Sequence, residues 1–144
     1  MRDKSRPAAK RPTQADYEAL SEFRYLIRSF LHFSQTAAAS AGLTPRQHQA
    51  LLAIRGFAPP RAISVGDLAE RLGTKHNSAV ELVDRLVKAR LVTRGADPSD
   101  QRRVLLQLTA LAEGKLAGLS VAHLDELDRL EPTLRRVMQL RHPT

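Results

Sequence analysis

Lys75, His76, Asn77, Ser78, Glu81, Arg85 and Lys88 fall in one stretch of the sequence, LGTKHNSAVELVDRLVK. Ala79, Leu82, Val83, Leu86 and Val87 recur at helical spacing and take the inward side, which leaves the polar set on the outer face of a helix. Asparagine can pair with adenine, glutamate can accept from cytosine, and histidine or serine adapts to either. Lys75, Arg85 and Lys88 suit phosphate. A second cluster, Arg94, Asp100, Arg102 and Arg103, follows in RGADPSDQRR. A guanidinium fits a narrow minor groove, where the potential is most negative, and Asp100 is expected to orient Arg102 or the turn. The chemistry on offer is the reading and gripping of duplex DNA. The alternative for the first cluster is a solvated helix face with a Glu81–Arg85 pair, and for the second a surface hairpin with a local Asp–Arg pair.

Presenting two such clusters requires a scaffold, and the sequence supplies one. Tyr17, Leu20, Phe23, Ile27, Phe30 and Leu31 give helical spacing from Asp16 to Ala41, with Gly42 as the C-terminal cap. Thr44-Pro45-Arg46-Gln47 is a capping box with proline at the first helical position, and that helix stops before Pro59-Pro60. Ala62-Ile63 reads as a short extended piece. Ser64-Val65-Gly66-Asp67 repeats the capping box and opens a short helix with Val65, Leu68, Ala69 and Leu72 inward. Gly73 breaks it, and Thr74 is expected to cap the next helix. Two short helices joined by a tight glycine turn form a helix-turn-helix pattern. After Arg90 the period turns extended. Leu91–Arg94 and Arg103–Leu108 are expected strands around a turn-rich segment from Gly95 to Arg102. Thr109 then caps a long leucine-rich helix that Pro132 is expected to restart.

Composition narrows the class. The chain has 144 residues, 23 Lys plus Arg against 15 Asp plus Glu, and a net charge of +8, so its natural partners are polyanions. The excess sits in residues 1–14, where Arg2, Lys4, Arg6, Lys10 and Arg11 oppose Asp3, and in residues 61–108. There is no cysteine, which excludes disulfides, thiolate zinc sites and thiol sensing. His32, His48, His76, His123 and His142 have no metal-ligand spacing, so no metal or other cofactor is expected. No G-x-S-x-G motif or glycine-rich loop points to an enzyme. No stretch approaches ~18 apolar residues, and the N-terminus lacks a signal-peptide core, so no membrane association and a cytoplasmic location are expected.

Residues 68–109 carry a specific resemblance. Leu82-Val83-Asp84-Arg85-Leu86 followed by Leu91-Val92 and Arg94, then Asp97-Pro98-x-Asp100-x-Arg102 leading to Leu108-Thr109, resemble the multiple-antibiotic-resistance regulator (MarR) family of winged-helix transcription factors. The sequence departs from the family at Glu81, where a basic residue is common, at Arg90, where glycine is usual, and at Ala112, with Gly114 displaced.

The resemblance implies a mostly α fold with a small β-hairpin wing. Residues 1–14 would be a basic arm, 15–43 a dimerisation helix, 44–108 the winged DNA-binding lobe and 109–144 the C-terminal dimerisation helices. It implies a homodimer on a palindromic operator in double-stranded DNA, a repressor released by a small aromatic or acidic effector. Two other uses of the same fold remain open at this point, a protein-interaction module and a non-specific architectural DNA binder.

Overall fold

In a computed structural model describing residues 10–58 and 61–142, five helices and one hairpin follow each other along the chain. They are α1 (Gln14–Ser40), α2 (Pro45–Arg55), α3 (Val65–Leu72), α4 (His76–Lys88), β1 (Val92–Asp97), β2 (Asp100–Leu108) and α5 (Ala110–Arg141). Most of the expected basic arm lies outside the described residues. The chain enters α1 through a reciprocal cap: Asp16 accepts from the Thr13 N–H at 2.9 Å, and the Thr13 hydroxyl accepts from the Asp16 N–H at 3.2 Å.

The chain divides into two compact units, residues 1–32 with 126–144 and residues 33–125. In the second, Leu51, Ile63, Leu68, Val83, Leu86 and Val92 are the largest fully buried side chains. They come from α2, the segment before α3, α3, α4 and β1, so the helix-turn-helix and the base of the hairpin share one core. Ala38, Leu43, Ala112, Leu116 and Leu119 belong to the same cluster. The end of α1 and the first turns of α5 therefore lie in this unit, although the sequence groups them with the flanking helices.

Both expected capping boxes form. The Thr44 hydroxyl accepts from the Gln47 N–H at 3.1 Å, the Ser64 hydroxyl accepts from the Asp67 N–H at 3.1 Å, and each third-position side chain bonds back to the cap N–H. The extended piece before α3 docks on the hairpin. Ser64 bridges Leu105, and the Leu106 N–H bonds the Ile63 carbonyl at 2.9 Å.

Three expectations need correction. Thr74 does not cap α4. Gly73 takes a left-handed conformation, and the Thr74 N–H bonds back to the Ala69 carbonyl at 3.0 Å, so Thr74 is consumed in closing α3. Its hydroxyl is buried with no hydrogen-bond partner among the described residues, and Lys75 becomes the cap residue with no side-chain cap bond. The turn-rich segment of the hairpin is shorter than expected, because pairing runs out to Asp97 opposite Asp100. The Asp97 carboxylate accepts from the Ser99 N–H at 2.9 Å and the Ser99 hydroxyl at 2.7 Å, closing the chain over Pro98-Ser99. Pro132, finally, does not restart a helix: α5 runs through it. Proline removes one ladder bond. Around it Arg135 pairs with Glu131, Arg136 with Glu22 at 3.0 Å, and Arg141 with Asp16 at 3.1 Å.

The unit formed by residues 1–32 and 126–144 buries Ala19 and Val137 but leaves Tyr17, Leu20, Phe23, Ile27, Leu31, Leu127, Leu134 and Met138 exposed. No helix among the described residues is long and apolar enough to cross a membrane.

Candidate nucleic-acid interface

Helix α4 owes its orientation to Ala79, Val83 and Leu86, all buried, with Leu82 and Val87 half-buried beside them. Their burial turns His76, Asn77, Ser78, Glu81, Arg85 and Lys88 into solvent, with Lys75 at the helix entrance. The sequence-expected face is thus brought together as one exposed surface. Glu81 and Arg85 form no ion pair with each other among the described residues, so neither is consumed by the internal pairing open to them. They line a groove with Ser78, Thr44, Arg46 and Gln47. Arg46, from the first turn of α2, was not singled out by the sequence. No local spacing signals it, because its position depends on how α2 crosses α4.

The wing divides its arginines. Arg102 lies almost wholly in solvent, its side chain 94% exposed. Asp100 accepts from the Arg102 N–H at 3.0 Å and approaches Nε at 3.5 Å, which restrains the start of the side chain and leaves the guanidinium tip open. Arg94 is paired with Asp84 of α4. Arg103 does not stand at the tip. Its Nη2 donates to Asp67 Oδ2 at 3.1 Å and its Nη1 lies 3.6 Å from Asp97 Oδ2. The physical reason is a register shift. Ala96 pairs with Val104 and Asp97 with Asp100, so Gln101, Arg102 and Arg103 have no cross-strand partners. Such an irregularity re-aims side chains.

The carboxylates that receive these arginines sit below their ordinary range. Asp67 is lowered chiefly by the Ser64 N–H, which burial opposes as the next largest effect, and then by the Ser64 hydroxyl, Arg103 and Arg61. Asp97 is lowered first by the Ser99 hydroxyl, then by the Ser99 N–H and Arg103. Both therefore stay ionised at neutral pH, and sequence inspection singled out neither as a partner of the wing arginines.

A histidine pair lies on the opposite side of α2. His48 is buried, 4% exposed, with its ring 4.8 Å from that of His123 of α5. His123 Nδ1 lies 2.6 Å from the Leu119 carbonyl, and Nε2 2.8 Å from the Ser34 hydroxyl. A carbonyl only accepts, so Nδ1 carries a proton, and the Ser34 hydroxyl is the hydrogen-bond partner of Nε2. Burial, then His123, lowers the pKa of His48. Among the described residues no group of three His, Cys, Asp or Glu side chains is placed to hold a metal ion.

The comparisons agree with this architecture. A model of the MarR family matches residues 41–103. An uncharacterised HTH-type transcriptional regulator of Bacillus subtilis, YcgE, is 33% identical over 94 residues, covering 65% of this chain. The match spans 59% of that relative's length. Among solved structures, MepR, a transcription regulator of a Staphylococcus aureus multidrug efflux pump, superposes with a TM-score of 0.69 at 18% identity, covering 87% of this chain and 90% of that one. A mutant of S. aureus MepR bound to an oligodeoxyribonucleotide gives 0.63 at 19% identity, covering 81% and 82%. A probable transcriptional regulator from Pseudomonas aeruginosa gives 0.55 at 28% identity, covering 75% and 82%.

Proposed function

We propose that the chain is a winged-helix protein of the MarR family, which the family match over residues 41–103 supports, and on that premise that it is a homodimeric, sequence-specific DNA-binding transcriptional regulator, a repressor released by a small aromatic or acidic effector. The observation that carries this reading is the outer face of α4. Base-reading side chains, His76, Asn77, Ser78 and Glu81, share one solvent-facing surface with the phosphate-gripping Lys75, Arg85 and Lys88. Arg102 stands in solvent on the adjoining wing. In this reading residues 1–14 are a basic arm, 44–108 the DNA-binding lobe, and 15–43 and 109–144 the dimerisation helices. The exposed apolar side chains of α1 and of the end of α5 support the homodimer, since a second copy would cover them.

The test is a titration against two duplexes, the DNA upstream of the protein's own gene and a scrambled sequence of equal composition, over a range of salt. Tighter binding to the first is expected, through an inverted repeat with half-sites about one helical turn apart. If two lobes neutralise roughly 8–12 phosphates, log K against log salt falls with a slope of about −7 to −11. Equal affinity for both duplexes makes the protein a non-specific binder. Absence of salt-dependent binding rejects the reading.

A further inference from the structure

We infer that Arg103 is a positioning residue: seated between Asp67 and Asp97, it latches the outer half of the wing to α3 so that Arg102 meets DNA from one fixed place. This rests on the DNA-binding reading and divides the work of the wing within it. The base of the hairpin is held by backbone, through the Ser64–Leu105 bridge and the Leu106 N–H bond to Ile63. Beyond Val104 the pairing slips, and Gln101–Arg103 have no cross-strand partners. A two-stranded ribbon is weakly held at such a point. There the chain places two adjacent arginines with opposite fates. Arg102 is 94% exposed, while Arg103 is 34% exposed and directs both terminal nitrogens to carboxylates.

The two seats are themselves fixed. Asp67 Oδ2 also accepts the Ser64 N–H at 3.0 Å, closing the cap of α3. Asp97 is held by both donors of Ser99 in the hairpin turn. One guanidinium therefore joins the helix start of the helix-turn-helix to the turn of the wing, and its planar fork suits two acceptors at once. With both sides of its fork turned to protein, Arg103 has little left for phosphate. Arg94, paired with Asp84, makes a comparable tie to α4. Arg102 is the wing cation with its tip free for DNA.

The experiment compares wild type, Arg102→Ala, Arg103→Ala and Arg103→Lys. Two quantities are read: salt-dependent binding to the upstream duplex, and hydrogen exchange of the amides of residues 100–104 in the free protein. Arg102→Ala should make the salt slope shallower by about 1 per wing and leave exchange unchanged. Arg103→Ala should leave the slope unchanged, weaken binding about tenfold because the wing must be ordered on binding, and speed exchange about fivefold. Arg103→Lys, which can still bond Asp67, should recover part of both; it carries the comparison if the alanine variant does not fold. A slope lowered by Arg103→Ala as much as by Arg102→Ala would make Arg103 a DNA contact and overturn the inference, as would unchanged exchange. If wild type shows no salt-dependent binding, the regulator reading fails instead, and exchange in the free protein still decides the latch.

Discussion

The Thr109 hydroxyl donates to the Arg90 carbonyl at 2.7 Å. The same oxygen accepts from the Ala112 N–H at 3.2 Å, so one side chain both caps α5 and ties it to Arg90, just beyond the end of α4. The Thr109 N–H adds a bond to the Leu91 carbonyl at 3.0 Å. Thr109→Ala loses the cap and the tie together. A loss of about 1–2 kcal/mol is expected in urea denaturation. Thr109→Ser, which keeps the hydroxyl, should lose much less.

Arg90 has φ of 62°, in the left-handed region. A side chain there costs about 1 kcal/mol relative to glycine, which occupies the region freely. Arg90→Gly should therefore stabilise the protein only slightly, by up to about 0.6 kcal/mol, once the roughly 0.4–1 kcal/mol of extra freedom that glycine gives the unfolded chain is subtracted. A thermal melt that falls on substitution would show that the arginine side chain has a stabilising role that outweighs its backbone strain.

Asn77 is exposed in the first turn of α4. Asn77→Ala should weaken binding to the upstream duplex by about 1–3 kcal/mol and leave scrambled DNA almost unaffected. An equal loss on both duplexes would reassign Asn77 from base reading to backbone gripping.

Acid should destabilise the protein in two windows. The pKa of His48 is lowered by burial and by His123, so the unfolded chain takes up its proton first. Stability is full above the ordinary histidine value of about 6.5 and declines as pH falls through it toward the lower folded value. Asp67 and Asp97 are lowered too, and their contribution is present above about 3.9 and lost below it. Urea midpoints between pH 7.5 and pH 5 should fall for wild type and stay flatter for His48→Gln, which removes the upper window. Equal slopes in the two proteins would exclude His48 as the group responsible.

Leu134 and Met138 are exposed on α5 among the apolar side chains of the unit that joins its end to the start of α1. Stable obligate interfaces bury about 2,000 Å² or more. Leu134→Glu with Met138→Glu should shift sedimentation from dimer to monomer at micromolar concentration and leave the fold intact by circular dichroism. A wild-type monomer at that concentration rejects the homodimer.

What the sequence made legible was local. The boxes Thr44–Gln47 and Ser64–Asp67 announce two helix starts because their partners lie three residues apart. The inward stripe of α4 is visible because helical periodicity alone separates Val83 and Leu86 from Asn77 and Glu81. What it hid was set by contacts distant in the chain. Arg103 and Asp67 are 36 residues apart, and nothing near Arg103 distinguishes it from Arg102. The turn over Pro98-Ser99 read as a long loop because charged and turn-forming residues there also pair as strand. Thr74 satisfies the composition of a cap, but its amide was already committed to closing α3.

The hairpin has only two strands, and the far side of β2 is met by Ser64, so β1 forms the open margin of the sheet. A bare strand margin is a template for cross-strand aggregation between molecules. Here it carries the charged Arg94 and is followed by Pro98, beside the slipped register at Ala96 and Asp97. Those features spoil the flat, regular edge that another chain would need. The wing is thereby ill suited to pairing edge to edge with another copy, and removing the charge at Arg94 should cost solubility as well as the tie to α4.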